Sequence, residues 1–400
     1  MSPLAIVIWI VLVDLLGFTI VMPLLAPFAK EYGFSPLQIG LLMAAFPFCQ
    51  LVAGPILGRL SDRYGRRPVL IVSQAGTALS FVMLGLSRSF LPMLLARMLD
   101  GASGGNILVA QAYIADVTKP EDRARGLGLL GMAFGLGFVL GPILGLVILS
   151  MPFAAEWRLR MPFLVAAGFS TIALALVWAK LPESRPPSGF GKSQARVLSR
   201  RGLIDTLTLP GVGRLVAIGS LDILAFAALE GTFSLYLRDQ LGWSVSGSLA
   251  GFTVLGLVTA GVQGGLIRKL VPRYGEPRLI VVGLAILAVG MAGLALAFNA
   301  LGLIAAVVCV GVGQGIAGPS ISGLLSRLTP ADEQGAVFGT FNSAQTLARM
   351  ANYLVANLLL GLLGAAAPFW EGAGLALLSL ALAFATFGLR PVERLVRVEA

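Results

Sequence analysis

Long apolar stretches alternate with short polar connections along the whole chain, and each stretch is apolar on all faces rather than at every second position. Twelve stretches have the length of about 20 residues that a helix needs to cross a bilayer. Because strands of a barrel would alternate with period two, the pattern predicts helices. The predicted helices, numbered 1 to 12, cover residues 5–29, 37–58, 69–86, 91–115, 126–150, 162–181, 214–237, 246–267, 279–298, 301–326, 335–363 and 372–389.

The composition is that of a polytopic membrane protein. Hydrophobic residues make up 57% of the 400 residues and charged residues 12%, whereas soluble domains carry about 25% charged residues. The loops are too short to hold a soluble catalytic domain. There is no histidine, and Cys49 and Cys309 lie far apart in apolar runs, so the sequence predicts no metal site, no disulfide and no cofactor.

Basic residues set the expected orientation. Of the 29 Lys and Arg residues, 22 lie in the loops after helices 2, 4, 6, 8 and 10 and in the C-terminal tail, and five lie in the other loops. The basic side is expected to be cytoplasmic. Both termini are then expected in the cytoplasm, and the protein in a bacterial inner membrane. This pattern explains the net charge of +10 without nucleic acid. The first apolar run has no basic n-region before it, so we expect a retained span.

The chain is predicted to consist of two repeated halves. The longest loop, 182–213, is a cytoplasmic linker between bundles of six helices at 1–181 and 214–400, the second with a short tail. Repeats of this kind usually enclose a site near the membrane midplane. A shift of about 210 residues superposes Asp14 on Asp222, Lys30-Glu31 on Arg238-Asp239, Arg63-Tyr64-Gly65 on Arg273-Tyr274-Gly275, and Pro120 with Asp122 on Pro330 with Asp332.

Four motifs occur in a specific order. The loop after helix 2 reads GRLSDRYGRR from Gly58, helix 4 reads RMLDG from Arg97, helix 5 carries a glycine-rich run ending in GPILG at Gly145, and helix 1 contains Asp14, Gly17 and Pro23. Together they resemble the major facilitator superfamily, and within it the twelve-span drug:proton antiporters that include tetracycline exporters. The resemblance implies an all-α fold of two pseudo-symmetric six-helix bundles and export in exchange for protons.

The loop after helix 2 is the candidate gate. Asp62 can bond a neighbouring helix N-terminus, whose partial positive charge favours a carboxylate. The resemblance implies that this contact biases a rocking equilibrium, although the arginines could be topology anchors alone. The other candidate gating residues are Gly58, Arg63, Gly65, Arg66, Arg67 and Asp116, the last at the inner end of helix 4.

Helix 5 carries glycines at every fourth position, Gly137, Gly141 and Gly145, with Pro142 beside them. Small residues at this spacing let helices pack closely in lipid, and proline bends a helix. We expect a tight, bendable contact between the two halves, which the resemblance associates with export. Ordinary glycine-rich packing is the alternative.

Ionisable residues inside the spans are the main functional candidates, since a charge at the midplane is costly. Asp14 lies about 15 Å into helix 1, Asp222 is its repeat partner, and Glu230 follows two turns later. Four acids face two bases, so at least one carboxylate lacks a full partner, which suits a proton carrier. Asp14 is the first choice, with Asp222 or Glu230 next. The remaining three are Arg349 in helix 11 and the pair Arg97 and Asp100 in helix 4, which tunes the proton site or merely stabilises the bundle.

A polar stripe on helix 11 is expected to line the substrate cavity, where Arg349 contacts substrate or a carboxylate. Helices 3, 6, 9 and 12 show no interior charge and are expected to be the outer ones. Single amides also serve as contacts between helices. The cavity candidates are Asn342, Gln345, Arg349 and Asn352 on the stripe, with Asn106, Gln111, Gln314 and Gln50 elsewhere.

The sequence therefore predicts a monomeric secondary transporter that exports an amphipathic small molecule in exchange for protons by alternating access. Its partners are the lipid bilayer, the substrate and protons. One alternative is a symporter or flippase-like transporter of an anionic metabolite or lipid, with Arg349 as the anion partner. An intramembrane enzyme would need a nucleophile with its base or a metal centre, and a channel would need a repeated filter loop; neither is recognisable.

Overall fold

The computed structural model describes residues 3–118, 123–184, 207–209, 211–330 and 333–387. These residues form helices and no strand, and eleven helices are long and apolar enough to cross a membrane. The predicted all-α membrane fold is confirmed. The spans are α1 Pro3–Glu31, α2 Pro36–Tyr64, α3 Arg66–Leu86, α4 in two segments Phe90–Gly104 and Asn106–Val117, α5 Arg123–Ser150, α6 Met161–Lys180, α7 Val212–Leu241, α8 Val245–Tyr274 with a π-helical turn at Val262–Leu266, α9 Glu276–Leu296, α10 Ala300–Leu328, α11 Gln334–Leu363 and α12 Ala367–Phe387.

Helix α4 is broken, although the sequence predicted one continuous helix there. Glycines at the break face α2 at very short range. A Cβ on Gly101 would overlap the backbone oxygen of Phe46, and a Cβ on Gly105 would lie 3.0 Å from the Cα of Gly54. Gly105 has φ −64° and ψ −7°, which any residue can adopt, so it is the close approach of α2 that favours glycine there. Each α4 segment alone is too short to count as a span. The eleven long helices and the two-part α4 together account for the twelve spans.

Two central helices organise two compact units. The first unit comprises residues 1–192 and 245–253, and the second comprises 193–244 and 254–400. In the first unit α1 packs against α4, α5 and α6, and in the second α7 packs against α10, α11 and α12. Both central helices are buried on almost every face, as expected of helices without a polar side.

The predicted domain limits remain a prediction. Much of the proposed linker 182–213, the repeat markers Pro120, Asp122 and Asp332, and the chain after 387 lie outside the described residues.

We predict that Gly101→Ala destabilises the protein, because its methyl group would collide with rigid α2 backbone. Overpacking of this kind costs about 1–3 kcal/mol. Gly168→Ala in α6 is the matched control, since nothing lies within 4 Å of that Cβ position. Thermal unfolding of both purified variants in detergent checks this. Equal melting temperatures would contradict the close α2–α4 contact.

Candidate functional site

Asp14 is held by two carboxamides in the first unit. Gln74 of α3 donates to both carboxylate oxygens, at 2.8 and 2.9 Å, and Asn106 of α4 donates to Oδ2 at 2.8 Å. Both amides are buried, whereas Asp14 is partly exposed. No basic side chain pairs with Asp14 among the described residues.

Asp222 occupies the corresponding place in the second unit. It is 1% exposed, and its Oδ2 accepts a hydrogen bond of 3.3 Å from Nε2 of Gln314 on α10. Asn106 follows Asp14 by 92 residues, and Gln314 follows Asp222 by 92 residues. The carboxylate–carboxamide pair is therefore part of the internal repeat.

Arg97 and Arg349, the two arginines predicted inside the spans, are each paired with a carboxylate. Arg97 donates to Asp100 at 2.7 Å within α4, and its guanidinium lies 4.8 Å from the ring centre of Phe46. In the second unit Arg349 of α11 donates to Oε1 of Glu230 at 3.1 Å. Charge pairing of this kind lowers the cost of burying both groups.

Glu230 has a second donor that the sequence analysis did not identify. The hydroxyl of Tyr353 donates to its Oε2 at 3.1 Å. Tyr353 lies one helical turn after Arg349 on α11, so both reach the same carboxylate. The spacing of four residues between Arg349 and Tyr353 was the signal in the sequence that could have identified this contact.

Helix α12 contains an acid, contrary to the expectation that helices 3, 6, 9 and 12 hold none. The helix begins at Ala367 rather than 372, which places Glu371 within the span. Asn352 of α11 contacts it at 3.4 Å and also donates to the carbonyl of Leu224 at 2.6 Å. Because its start was placed too late, the prediction assigned Glu371 to a loop.

The other predicted cavity residues separate into contacting and exposed groups. Gln345 donates to the carbonyl of Gly219 on α7 at 3.4 Å, and Gln50 donates to that of Gly104 at 3.1 Å. These amides join helices. Asn342 and Gln111 are exposed.

Three embedded carboxylates therefore have carboxamides as their side-chain partners within the described residues. Asp14, Asp222 and Glu371 contact Gln or Asn side chains and no base. A polar group without a partner is costly away from water, yet the amide oxygens of Gln74, Asn106, Gln314 and Asn352 are buried and have none.

Residues around the junction of α2 and α3 form a separate charged network. The loop predicted after helix 2 is helical except at Gly65, because α2 runs to Tyr64 and α3 begins at Arg66. Arg66 is 5% exposed, pairs with Asp62 at 2.8 Å and Asp116 at 3.1 Å, and donates to Ser61 at 2.6 Å. Asp62, near the end of α2, thus contacts the first residue of α3. Gly58 accepts a hydrogen bond from Ser61, exposed Arg63 lies against the ring of Tyr64, and Arg67 donates to the carbonyl of Trp178.

The carboxylate at the start of α3 is Glu183, which the sequence analysis did not single out. Its oxygens accept from the backbone N–H groups of Arg66 at 2.8 Å and Arg67 at 3.1 Å. A carboxylate at this end of a helix is favourable. Gly65, with φ +97°, leaves room for it, because a Cβ there would overlap the Glu183 carboxylate.

The second unit repeats the ion pair between Arg66 and Asp116 with its charges reversed. Glu276, at the start of α9, pairs with Arg327 near the end of α10 at 2.9 Å. A shift of 210 residues carries Arg66 onto Glu276, and one of 211 carries Asp116 onto Arg327. The repeat shift was the signal for this pair, which the sequence analysis compared only at other positions.

Two of the helix 5 glycines pack against α1 in the first unit. A Cβ on Gly137 would lie 2.8 Å from that of Leu15, and one on Gly141 would overlap the hydroxyl of Thr19, which donates to the carbonyl of Gly137 at 2.8 Å. A Cβ on Gly145 would lie 2.9 Å from Leu249, and Pro142 lies inside α5. Their role between the halves remains a prediction.

Repeated helical bundles with carboxylates on their central helices are the architecture of many membrane transporters. The chain belongs to the major facilitator superfamily, whose family model, described as "Major Facilitator Superfamily", matches residues 7–352.

Relatives of two kinds are similar over nearly the whole chain. The tetracycline resistance protein, class B, of Escherichia coli is 29% identical, over 91% of this chain and 89% of that protein. Major facilitator superfamily domain-containing protein 10 of Homo sapiens is 31% identical over 92% and 89%. The crystal structure titled as the human organic anion transporter MFSD10 (TETRAN) covers 95% of this chain and 98% of its own, with a TM-score of 0.69 and 28% identity.

We predict that Arg97→Met and Asp100→Leu are each destabilising, because each leaves one buried charge unpaired. Losing one partner of a buried pair costs about 3–5 kcal/mol. The double variant is expected to recover most of the melting temperature in detergent. If it also transports normally, the pair is structural; if the double variant melts as low as the single variants, the pair is not the source of their instability.

Proposed function

We propose that the protein is a proton-coupled exporter of amphipathic, neutral or cationic small molecules that works by alternating access. The observation that carries this proposal is the set of embedded carboxylates with carboxamide partners, Asp14, Asp222 and Glu371. The similarity to tetracycline resistance proteins supports export of a drug-like compound.

The chemistry follows from the missing counter-ions. A carboxylate without a basic partner in a low-dielectric site is stabilised either by a proton or by a substrate cation. Exchange of one for the other, with access alternating between the two sides, drives the substrate out as protons flow in. Arg97 and Arg349 cannot supply this neutralisation, since each already pairs with a carboxylate.

The gate in this proposal is the network of Arg66, Asp62 and Asp116. Its ion pairs can form in one arrangement of the spans and break in another, and so bias the equilibrium between them. The distribution of basic residues supports a location of this loop and both termini on the cytoplasmic side of a bacterial inner membrane.

A second candidate function is transport of an organic anion. The human relative whose structure is titled an organic anion transporter supports it, as does the Arg349 side chain, which remains 26% exposed beside Glu230. An anion would then displace Glu230 from Arg349.

The two functions differ in the effect of a pH gradient across proteoliposomes. Proton antiport predicts that an inward proton gradient drives outward flow of the substrate, and proton symport predicts the reverse. A lipophilic cation and an organic anion, tested in parallel, identify the substrate charge.

We predict that Asp14→Asn abolishes proton-driven exchange while the protein stays folded, because the amide cannot carry the exchanged charge. Glu31→Gln is the control, an exposed acid at the end of the same helix. Gradient-driven flux and the melting temperature are measured for both. Normal proton coupling in Asp14→Asn would remove Asp14 from the mechanism.

We predict that Asp62→Asn slows turnover more than it weakens substrate binding, because it removes a charge that pairs with Arg66 and not a ligand contact. Turnover is measured in proteoliposomes and the Kd in detergent. Unaltered turnover would argue against the gating role of the loop.

A further inference from the structure

The repeated carboxylate–carboxamide pair differs between the two units in a way that bears on proton occupancy. In both units an acid of the central helix accepts an amide N–H from the fourth helix, 92 residues later. Asp14 has a second amide, Gln74, whereas the residue at the equivalent shift of 208 to 210 in the second unit is apolar. Asp222 therefore has one side-chain donor where Asp14 has two.

The hydrogen bonds of Asp222 are incomplete in a specific manner. Gln314 donates to Oδ2, while Oδ1 of Asp222 and Oε1 of Gln314 are both buried and both without a partner. Two acceptor oxygens cannot bond to each other, but a carboxylic acid can donate its O–H to an amide oxygen. A carboxyl group and a carboxamide then form a ring of two hydrogen bonds. One proton on Oδ1 supplies the donor that the pair lacks.

The hydrogen bonds of Asp14 are instead complete without a proton. Both of its oxygens already accept amide N–H groups, so neither oxygen lacks a hydrogen-bond partner. Asp14 is also partly exposed, whereas Asp222 is 1% exposed. Asp14 therefore has some accessible surface, whereas Asp222 has almost none.

Other ionisable groups packed around α7 do not neutralise Asp222. Glu230 on the same helix bonds to Arg349 and Tyr353 of α11. Glu371 of α12 contacts Asn352, and Arg327 of α10 pairs with Glu276. Within the described residues, Gln314 is thus the side chain that completes or fails to complete the Asp222 site.

We propose that the two acids divide the work of exchange: Asp222, with Gln314 as its positioning residue, carries the proton, and Asp14, between Gln74 and Asn106, binds the cationic group of the substrate. This rests on the proposed function and reverses the order that the sequence suggested. The step is a simple transfer: the Asp222 O–H bond breaks, its proton leaves to water, and the cation binds the Asp14 carboxylate.

Infrared difference spectroscopy of the full chain without ligand tests the proton assignment. At neutral pH the wild type should show a carboxylic acid C=O band that shifts in deuterated water. One such band, distinct from any contribution of the embedded acid Glu371, should be absent in Asp222→Asn and present in Asp14→Asn and in the control Asp239→Asn, an exposed acid on the same helix. Gln314→Leu should shift the band through loss of its hydrogen bond, and Gln314→Asn should restore part of the shift. Loss of the band in Asp14→Asn but not in Asp222→Asn, or in neither, would overturn the assignment.

Binding of tetraphenylphosphonium, a lipophilic cation, tests the other half. Asp14→Asn should weaken binding about tenfold or more, as expected for loss of a charge-assisted contact. Asp222→Asn mimics the protonated acid, so its affinity for the cation should equal that of the wild type at acid pH, should no longer change with pH, and should be accompanied by no proton release. Equal binding by Asp14→Asn and the wild type would overturn the cation assignment and leave the exporter proposal standing. If the wild type does not bind the cation, both the cation assignment and export of cations fail, and the infrared result alone decides which acid holds the proton.

Discussion

The structure depends on the cost of placing a carboxylate where lipid and protein have replaced water. Each embedded acid must be stabilised by a counter-ion, by hydrogen-bond donors or by a proton. Asp100 and Glu230 have arginine partners. Asp14, Asp222 and Glu371 have carboxamides instead, and a neutral amide stabilises a charge less than a guanidinium does. In the proposed function, these three acids are the groups whose charge changes during the transport cycle.

The internal repeat explains how such groups arose in matching places. Both units have a buried central helix with an acid that bonds to the fourth helix of its unit. Both also join the start of their third helix to the end of their fourth by an ion pair, Arg66 with Asp116 and Glu276 with Arg327, with opposite polarity. The architecture of each pair is kept while its residues have diverged. Divergence at these positions makes the two halves chemically unequal, as the proposed division between a proton site and a substrate site requires.

The sequence predicted the features that depend on local composition and order. Apolar runs predicted the spans, and the shift of about 210 residues related Asp14 to Asp222. What it missed depends on which faces meet. Gln74 was overlooked because its helix was assigned to the outside, and Glu371 because the start of α12 was placed too late. Contacts such as Glu183 on the α3 N-terminus join residues more than 100 positions apart, and no local pattern reports them. The break in α4 lies where α2 approaches most closely, and periodicity does not describe such contacts.

The most direct test of the central claim, that a proton and a cation compete for the embedded acids without counter-ions, is the pH dependence of cation affinity. The Kd of tetraphenylphosphonium for the purified wild-type protein is measured across the neutral range. If one proton competes with one cation, affinity falls by about tenfold for each unit of acidification below the point where the acid takes up its proton. An affinity that stays constant with pH, or that rises on acidification, would contradict the account.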